Sequence, residues 1–72
     1  MPYFEIVVQY PSGTPSSGSR VVLGGTWGMS DDAYTDSRGT AVLEISDSRP
    51  MVYVDGASKG TVTPGKNVVI IG

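Results

Sequence analysis

Glycine or proline occurs every few positions in this 72-residue chain, and this spacing limits what the chain can fold into. Ten Gly and five Pro separate segments that carry ten Val, four Ile and six Thr. β-branched residues favour strands, whereas Gly and Pro favour turns and weaken helix interiors. No window of ten or more residues repeats apolar side chains at helical spacing. The pattern therefore predicts an all-β fold of short strands joined by tight turns.

The alternation of apolar and polar residues predicts seven strands in a single domain over 1–72. We expect Gly-rich 56–60 to be the turn between the fifth and sixth strands. Strands of this number and length favour a small antiparallel Greek-key sandwich of transthyretin-like or immunoglobulin-like type, with a partly open barrel of SH3 or OB type as the alternative. The predicted strands are 3–10, 20–24, 33–35, 40–46, 51–55, 61–63 and 67–71.

The predicted core follows from the faces of these strands. In the first strand Phe4, Ile6, Val8 and Tyr10 share one face, because successive side chains of a strand point to opposite sides. We expect that face to be buried. The segment 25–32 has no such periodicity and is interpreted as a loop. Similar alternation in the fourth strand places three more residues inward, namely Ala41, Leu43 and Ile45.

Composition excludes several classes of function. The chain has no His and no Cys, so it cannot supply an imidazole base, a thiolate nucleophile, a disulfide or a zinc finger. Five basic and seven acidic residues give a net charge of −2, with a pI near 4.6. This charge disfavours nucleic acid and anionic membranes as partners. We therefore expect no enzyme activity, no cofactor, no nucleic-acid partner and no membrane partner.

The chain shows no targeting or membrane-spanning pattern. Residues 1–10 contain no basic residue and no apolar run long enough for a secretory signal. The longest apolar stretch, 68–71, is far shorter than the roughly 20 residues that a spanning helix needs. If Met1 is native, the expected compartment is the cytoplasm; otherwise the sequence does not determine it.

Three segments together resemble a known family. They are Arg20-Val-Val-Leu23, then 34–43 with the turn Thr35-Asp-Ser-Arg-Gly39, and 51–56, followed by a last strand of Val and Ile. This order is similar to that of carboxypeptidase regulatory-like domains, which are related in fold to transthyretin and to the Cna-B modules of bacterial surface proteins. The resemblance implies a seven-stranded sandwich without catalytic residues that serves as a stalk, accessory domain or interaction surface. The Lys–Asn crosslink of some Cna-B domains is not implied, because the first strand contains no Lys.

The candidate binding residues are Trp27, Met29, Tyr34 and Tyr53, and Trp27 leads them. With Met29 and Tyr34 nearby, it could form an exposed aromatic platform that stacks on a sugar or anchors a protein partner. A lone Trp in so small a domain is also often the plug of its core. The glycines around Trp27 permit either position, and the sequence leaves both interpretations open.

The acidic residues suggest other sites that have ordinary explanations. Asp31, Asp32 and Asp36 could supply oxygen ligands to calcium, but their spacing matches no EF-hand and Asp36 is expected to begin the turn that ends at Gly39. Glu5 and Glu44 could pair as in glycoside cleavage, yet both fall on predicted outward faces. We therefore predict no metal site and no catalytic residue, with calcium in 31–36 as an open alternative.

The outward faces of the strands carry more apolar residues than one core needs. Tyr3, Val7, Val42 and Tyr53 point away from the predicted core, and the unbroken run 67–71 suggests a strand covered on both faces or by a partner. Scattered exposed apolar residues are also normal. The favoured function is a non-catalytic interaction or accessory module that self-associates or docks to a larger protein. The alternative is a small carbohydrate- or ligand-binding domain that uses the Trp27 loop.

Overall fold

The computed structural model describes residues 2–72, which form eight strands in two sheets and contain no helix. The all-β prediction is thereby confirmed. Met1, on which the cytoplasmic expectation depends, lies outside the described residues. In chain order the strands are β1 (Tyr3–Gln9), β2 (Arg20–Gly25), β3 (Gly28–Met29), β4 (Ala33–Tyr34), β5 (Thr40–Glu44), β6 (Met51–Val54), β7 (Ala57–Thr61) and β8 (Gly65–Ile70).

The first sheet has the order β5-β1-β8, so β1 is its central strand. β1 pairs with β5 in antiparallel fashion, with Phe4 opposite Leu43. On its other side β1 pairs with β8 in parallel, with Val7 opposite Val68. Because β1 has a neighbour on each side and the second sheet over one face, Phe4 and the two alternate residues that follow it are completely buried.

The second sheet is built around β2. On one side β2 pairs with β6 in antiparallel fashion, with Leu23 opposite Val52, and β6 continues into β7. On the other side two short strands share the edge of β2. β3 pairs with its end, where Met29 lies opposite Gly24, and β4 pairs with its start. This edge of the sheet is therefore interrupted between β3 and β4.

A single hydrophobic core lies between the two sheets and contains residues from both. Alternate residues of β1, β2, β5 and β6 supply it, as expected for strands with one buried face. The predicted inward positions in β1 and in the fourth predicted strand are confirmed, except for Tyr10. The core residues are Phe4, Ile6, Val8, Val21, Leu23, Ala41, Leu43, Ile45, Val52, Val54, Val62 and Val69.

The predicted turn at Asp36 is confirmed in atomic detail. Asp36 Oδ1 accepts hydrogen bonds from the backbone N–H of Arg38 at 2.8 Å and of Thr40 at 3.0 Å. Its carbonyl oxygen also accepts from the N–H of Gly39 at 2.9 Å. Gly39 has φ of +74°, a conformation that glycine adopts without steric cost. The turn thus leads directly into β5.

Two hairpins differ from the predicted strand map. The segment 25–32 is not a plain loop, because β3 folds back on β2 with Gly28 opposite Gly25. The predicted turn 56–60 is also wrong: the turn is Asp55-Gly56, and β7 begins at Ala57, opposite Val54. Asp55 and Gly56 both have positive φ, 51° and 88°, as a two-residue type I′ turn requires. Residues 2–72 therefore form eight strands rather than seven.

Three further expectations fail at the chain's first and last strands. Pairing is not wholly antiparallel, because β8 runs parallel to β1. Tyr10 is 44% exposed rather than buried, since β1 ends at Gln9 and the backbone of Tyr10 turns away through hydrogen bonds with Gly13 and Thr14. For the terminal run, the alternative of cover on both faces within the chain is wrong, because Val69 is buried but the flanking Val68 is exposed; cover by a partner stays a prediction.

Candidate functional site

Trp27 stands at the tip of the β2–β3 hairpin. Gly25 pairs with Gly28, so Thr26 and Trp27 form the two-residue connection. The Trp27 side chain is 94% exposed. The interpretation of Trp27 as a core plug is therefore wrong, because Phe4, Leu23 and their neighbours fill the core without it. Trp27 is left as a large apolar side chain held in solvent.

Asp47 fixes this hairpin to the β5–β6 connection. Its Oδ2 accepts hydrogen bonds from the Thr26 N–H at 2.9 Å and from the Thr26 hydroxyl at 3.1 Å. Its Oδ1 accepts from the N–H of Arg49 at 3.0 Å. These bonds, first from Arg49 and then from Thr26, hold the pKa of the Asp47 carboxyl below its ordinary value of 3.8. Asp47 is therefore ionised at neutral pH, when its acceptor capacity is greatest.

Gly25 permits the hairpin and the β5–β6 connection to approach closely. A Cβ atom at position 25 would lie 3.1 Å from Asp47 Cβ and 3.2 Å from Ile45 Cδ1. Both contacts are tighter than ordinary van der Waals separations, so a side chain here would push the two segments apart. Glycine at this position thus supports the Asp47–Thr26 hydrogen bonds and, through them, the placement of Trp27.

A groove of about 530 Å³ runs between the hairpin and residues 44–48. Its wall on the hairpin side includes Trp27 and Met29. The acidic residues that line it are Asp31, Glu44 and Asp47, and its described lining contains neither Lys nor Arg. The groove therefore combines an aromatic wall with anionic groups that accept hydrogen bonds.

Met29 and Tyr53 meet on the outer face of the second sheet. Met29 lies opposite Gly24 and Tyr53 opposite Val22, which places both on the face of β2 that points away from the core. A Cβ atom on Gly24 would lie 2.9 Å from Tyr53 Cε1 and 3.8 Å from Met29 Cε. The ring of Tyr53 thus lies over Gly24 beside Met29, and Val22 is buried under this outer layer. We call Trp27, Met29 and Tyr53 the Trp27 surface.

Tyr34, the fourth predicted binding residue, lies apart from this surface. It is opposite Arg20, at the start of β2, whereas Met29 is opposite Gly24. Four residues along a strand correspond to about 13 Å. Tyr34 shares the outer face and is largely exposed, but it lies at the far end of that face. The structure thus places Met29 beside Trp27 in the groove lining and beside Tyr53 over Gly24, and it leaves Tyr34 apart.

The acids considered as a calcium loop do not converge. Asp36 is engaged in its own turn, as described above. Asp32 Oδ2 lies 3.4 Å from Arg20 Nη1 in an exposed ion pair. Within residues 2–72 no three acidic side chains are grouped closely enough to hold a metal ion. The geometry therefore lends no support to calcium binding in 31–36.

Glu5 and Glu44 lie on the outer face of the first sheet. Glu44 is opposite Tyr3, and Glu5 is opposite Val42. Of these two carboxylates, only Glu44 lines the groove. A glycoside that is cut between two carboxyl groups must be held between them, and this sheet face offers no such enclosure.

Residues 2–72 contain no helix of the length and apolarity that crossing a lipid bilayer requires.

Sequence reasoning missed Asp47 and Val22 as parts of this site. The run Asp47-Ser-Arg-Pro50 follows the fourth predicted strand and indicates its end, but an Asp followed by a polar pair is also a signal for an Asx turn. The second role of Asp47, binding Thr26, joins residues 21 positions apart and has no local signal.

Comparison with known protein families, curated proteins and solved structures finds no match to this chain.

Proposed function

We propose that this chain is a non-catalytic interaction module that binds a partner protein through the Trp27 surface. The observation that carries the proposal is the 94% exposure of Trp27 on a hairpin whose backbone Asp47 holds in place. Trp is the side chain that contributes most often to the centres of protein interfaces. An aromatic side chain has only two χ angles and therefore loses little conformational entropy on binding. The hairpin thus presents an anchor at low entropic cost.

Residues around Trp27 supply the rest of a contact. Met29 is 63% exposed and Tyr53 is half-buried beside it, so apolar area continues from the hairpin onto the outer sheet face. A thioether side chain adapts readily to different partner shapes. Asp31, Glu44 and Asp47 surround the groove with negative charge. A partner segment that carries Lys or Arg would complement these carboxylates and could place its cation over the indole ring.

The proposed fold class is the Greek-key sandwich of carboxypeptidase regulatory-like domains. The Thr35-Asp-Ser-Arg-Gly39 turn, which carries much of the resemblance, forms with Asp36 as its hydrogen-bond acceptor. Two features differ from the seven-stranded antiparallel sandwich that the sequence predicts. They are the parallel pairing of β1 with β8 and the additional hairpin at Trp27. An accessory role without catalytic residues, which the resemblance implies, agrees with the proposed interaction module.

A ligand-binding domain for carbohydrate is the second candidate, and the groove favours it. Sugars stack on exposed aromatic rings, and their hydroxyl groups donate hydrogen bonds to carboxylates. Trp27 and the three acids of the groove offer both kinds of contact. Trp27 is the chain's only Trp, so its fluorescence reports directly on this groove. Titration with a panel of neutral oligosaccharides should change that emission if this second candidate is correct.

An amide-resolved NMR experiment tests the primary proposal. The labelled chain is recorded alone and in unlabelled extract of its source organism, together with two variants. We expect selective broadening of amides 26–30 and of Tyr53 in the native chain. Trp27→Ala should abolish the broadening, whereas Tyr3→Ala, which removes a largely exposed aromatic ring from the other sheet, should not. Equal broadening in the native chain and in Trp27→Ala would contradict the proposal.

A further inference from the structure

The β8 strand is the one well-formed, unprotected sheet edge in residues 2–72. It pairs only with β1 and extends over six residues, Gly65–Ile70. Val68 and Ile70 are both about half exposed on its outer face. Within the strand, Lys66 is its only charged residue and no Pro interrupts it. A regular, apolar edge of this kind is a template for pairing with another strand.

The other edges carry features that discourage such pairing. β7 is exposed throughout, contains Lys59, and has an irregular register with β6 between Met51 and Tyr53. β3 and β4 are two residues each and are separated along the edge of β2. In β5 the first residue, Thr40, already has its backbone N–H and C=O bonded to Asp36 of the preceding turn. Short strands, bulges and lysine are recognised means of protecting sheet edges, and β8 has little of this protection.

The orientation of the β8 backbone determines which of its N–H and C=O groups are not directed at β1. The N–H of Ile71 donates to the carbonyl oxygen of Gln9 at 2.9 Å, so residue 71 points its N–H toward β1. Backbone polar groups alternate sides along a strand, as side chains alternate faces. The N–H and C=O groups of Lys66, Val68 and Ile70 therefore point away from β1, toward solvent. These three residues form the hydrogen-bonding edge.

We propose that β8 pairs with β8 of a second copy of this chain, antiparallel and centred on Val68. With Val68 opposite its own counterpart, Lys66 of one copy lies opposite Ile70 of the other. Every residue that faces the free edge then meets a residue that also faces it, and each gives and receives one hydrogen bond. The strand is thus complementary to itself under a two-fold axis.

The same register extends the apolar face of the first sheet. Val68 contacts its counterpart across the axis, and Val7 lies beside Val68 on β1. The aliphatic stem of Lys66 packs beside Ile70 of the second copy while its ammonium group stays in solvent. Glu5 lies opposite Lys66 within each copy, so the charge of Lys66 has a neighbour of opposite sign. A continuous sheet then crosses the dimer.

Area considerations indicate a weak dimer. An interface of standard size takes about 800 Å² from each partner, and that is close to one fifth of the 4219 Å² accessible surface of this chain. Pairing along a single edge strand covers less than this. We therefore expect association that depends on concentration in the micromolar to millimolar range. The proposal concerns the first sheet and is independent of the Trp27 surface.

Sedimentation equilibrium of the full chain from micromolar to millimolar concentration tests the proposal. We expect the weight-average mass of the native chain to rise from 7.5 kDa toward twice that value. Val68→Lys places like charges across the two-fold axis and should remain monomeric. Val42→Lys is the matched control: it is on the same outer face and similarly exposed, but on β5 rather than β8, and it should dimerise normally. Trp27→Ala should also dimerise normally.

Amide hydrogen exchange on the native chain provides a test that does not depend on a variant. Exchange at Lys66, Val68 and Ile70 should slow at least about tenfold at high concentration, whereas Asn67 and Val69 should not change, because their N–H groups already face β1. A native chain that stays monomeric at millimolar concentration would overturn the proposal. Loss of dimer in Val42→Lys as well as Val68→Lys would also overturn it, since association would then use the sheet face.

Discussion

Gly39 lies so close to Val8 that a Cβ atom at position 39 would be 2.5 Å from the carbonyl oxygen of Val8. The two residues also share a hydrogen bond, from the Val8 N–H to the Gly39 carbonyl oxygen at 2.7 Å. The turn that begins at Asp36 is therefore pressed directly onto the end of β1. Glycine is required at this contact for space and also for its φ of +74°.

Gly39→Ala should destabilise the chain by about 3 kcal/mol, because the backbone strain of a positive φ adds to a clash with backbone that cannot swing away. Gly13→Ala is the matched control. Gly13 also has positive φ, +92°, but nothing lies within 4 Å of its Cβ position. It should cost about 1 kcal/mol. Urea unfolding monitored by circular dichroism measures both. Equal losses would show that close packing at Gly39 contributes nothing.

Trp27→Ala should leave the free energy of unfolding within about 0.5 kcal/mol of the native value, since an exposed side chain makes little contribution to the core. Phe4→Ala, which truncates a completely buried aromatic residue, should cost about 3–5 kcal/mol. Urea unfolding monitored by circular dichroism compares the two variants without depending on the removed indole. A loss for Trp27→Ala as large as that for Phe4→Ala would mean that the indole is buried.

Asp47→Ala should loosen the β2–β3 hairpin without unfolding the sheets. The variant loses all three hydrogen bonds that Asp47 accepts, two of which come from Thr26. We expect faster exchange of the Thr26 amide and lower fluorescence anisotropy of Trp27. Asp31→Ala serves as the control, because Asp31 lines the same groove and its carboxylate makes no hydrogen bond in residues 2–72. Unchanged anisotropy in Asp47→Ala would contradict the positioning role.

Acid should destabilise the chain through Asp36 and Asp47. Backbone hydrogen bonds, first from Thr40 and then from Arg38, hold the pKa of Asp36 below its ordinary value of 3.8, and the pKa of Asp47 is lowered in the same direction. The unfolded chain therefore binds more protons than the folded chain in acid. This stabilisation is fully present above the unfolded-state pKa. It is lost as the pH falls through 3.8 and then through the lower folded-state pKa values.

Urea midpoints measured from neutral pH down to about pH 2 detect this loss. In the double variant Asp36→Asn with Asp47→Asn, neither position titrates, while the side-chain carbonyl oxygens can still accept hydrogen bonds. Its midpoint should therefore fall less steeply over the same acidic range. If the native chain and the double variant lose stability in parallel, other groups are responsible.

Features that depend on adjacent residues could be predicted from the sequence. The alternation in β1 identified Phe4, Ile6 and Val8 as core, and the Asp36 turn followed from the ability of Asp to accept hydrogen bonds from its own following backbone. Tyr10 broke the alternation because a turn, not the strand, governs its backbone. The Asp55-Gly56 turn has a local signal, but the sequence pattern places the turn at 56–60. The reason is that β7 lacks the apolar alternation of a typical strand.

Features that depend on distant partners could not be predicted in this way. The alternation along β1 and the apolar run of β8 are compatible with either direction of pairing, so the parallel arrangement follows only from the path of the chain between them. The exposure of Trp27 depends on the contact between Thr26 and Asp47. Glycines near Trp27 permitted both a buried and an exposed ring, and only the tertiary contact distinguishes them.

The parallel pairing of β1 with β8 has a mechanical consequence. β1 starts beside Gly65 and ends beside Ile70, so the two ends of the described chain leave the first sheet in opposite directions. Tension applied between them would load every β1–β8 hydrogen bond at the same time, in shear, instead of opening the bonds one after another from one end. The strands at the two ends of the sequence would then act together as a clamp, and force would have to break this ladder before it could reach the core beneath it.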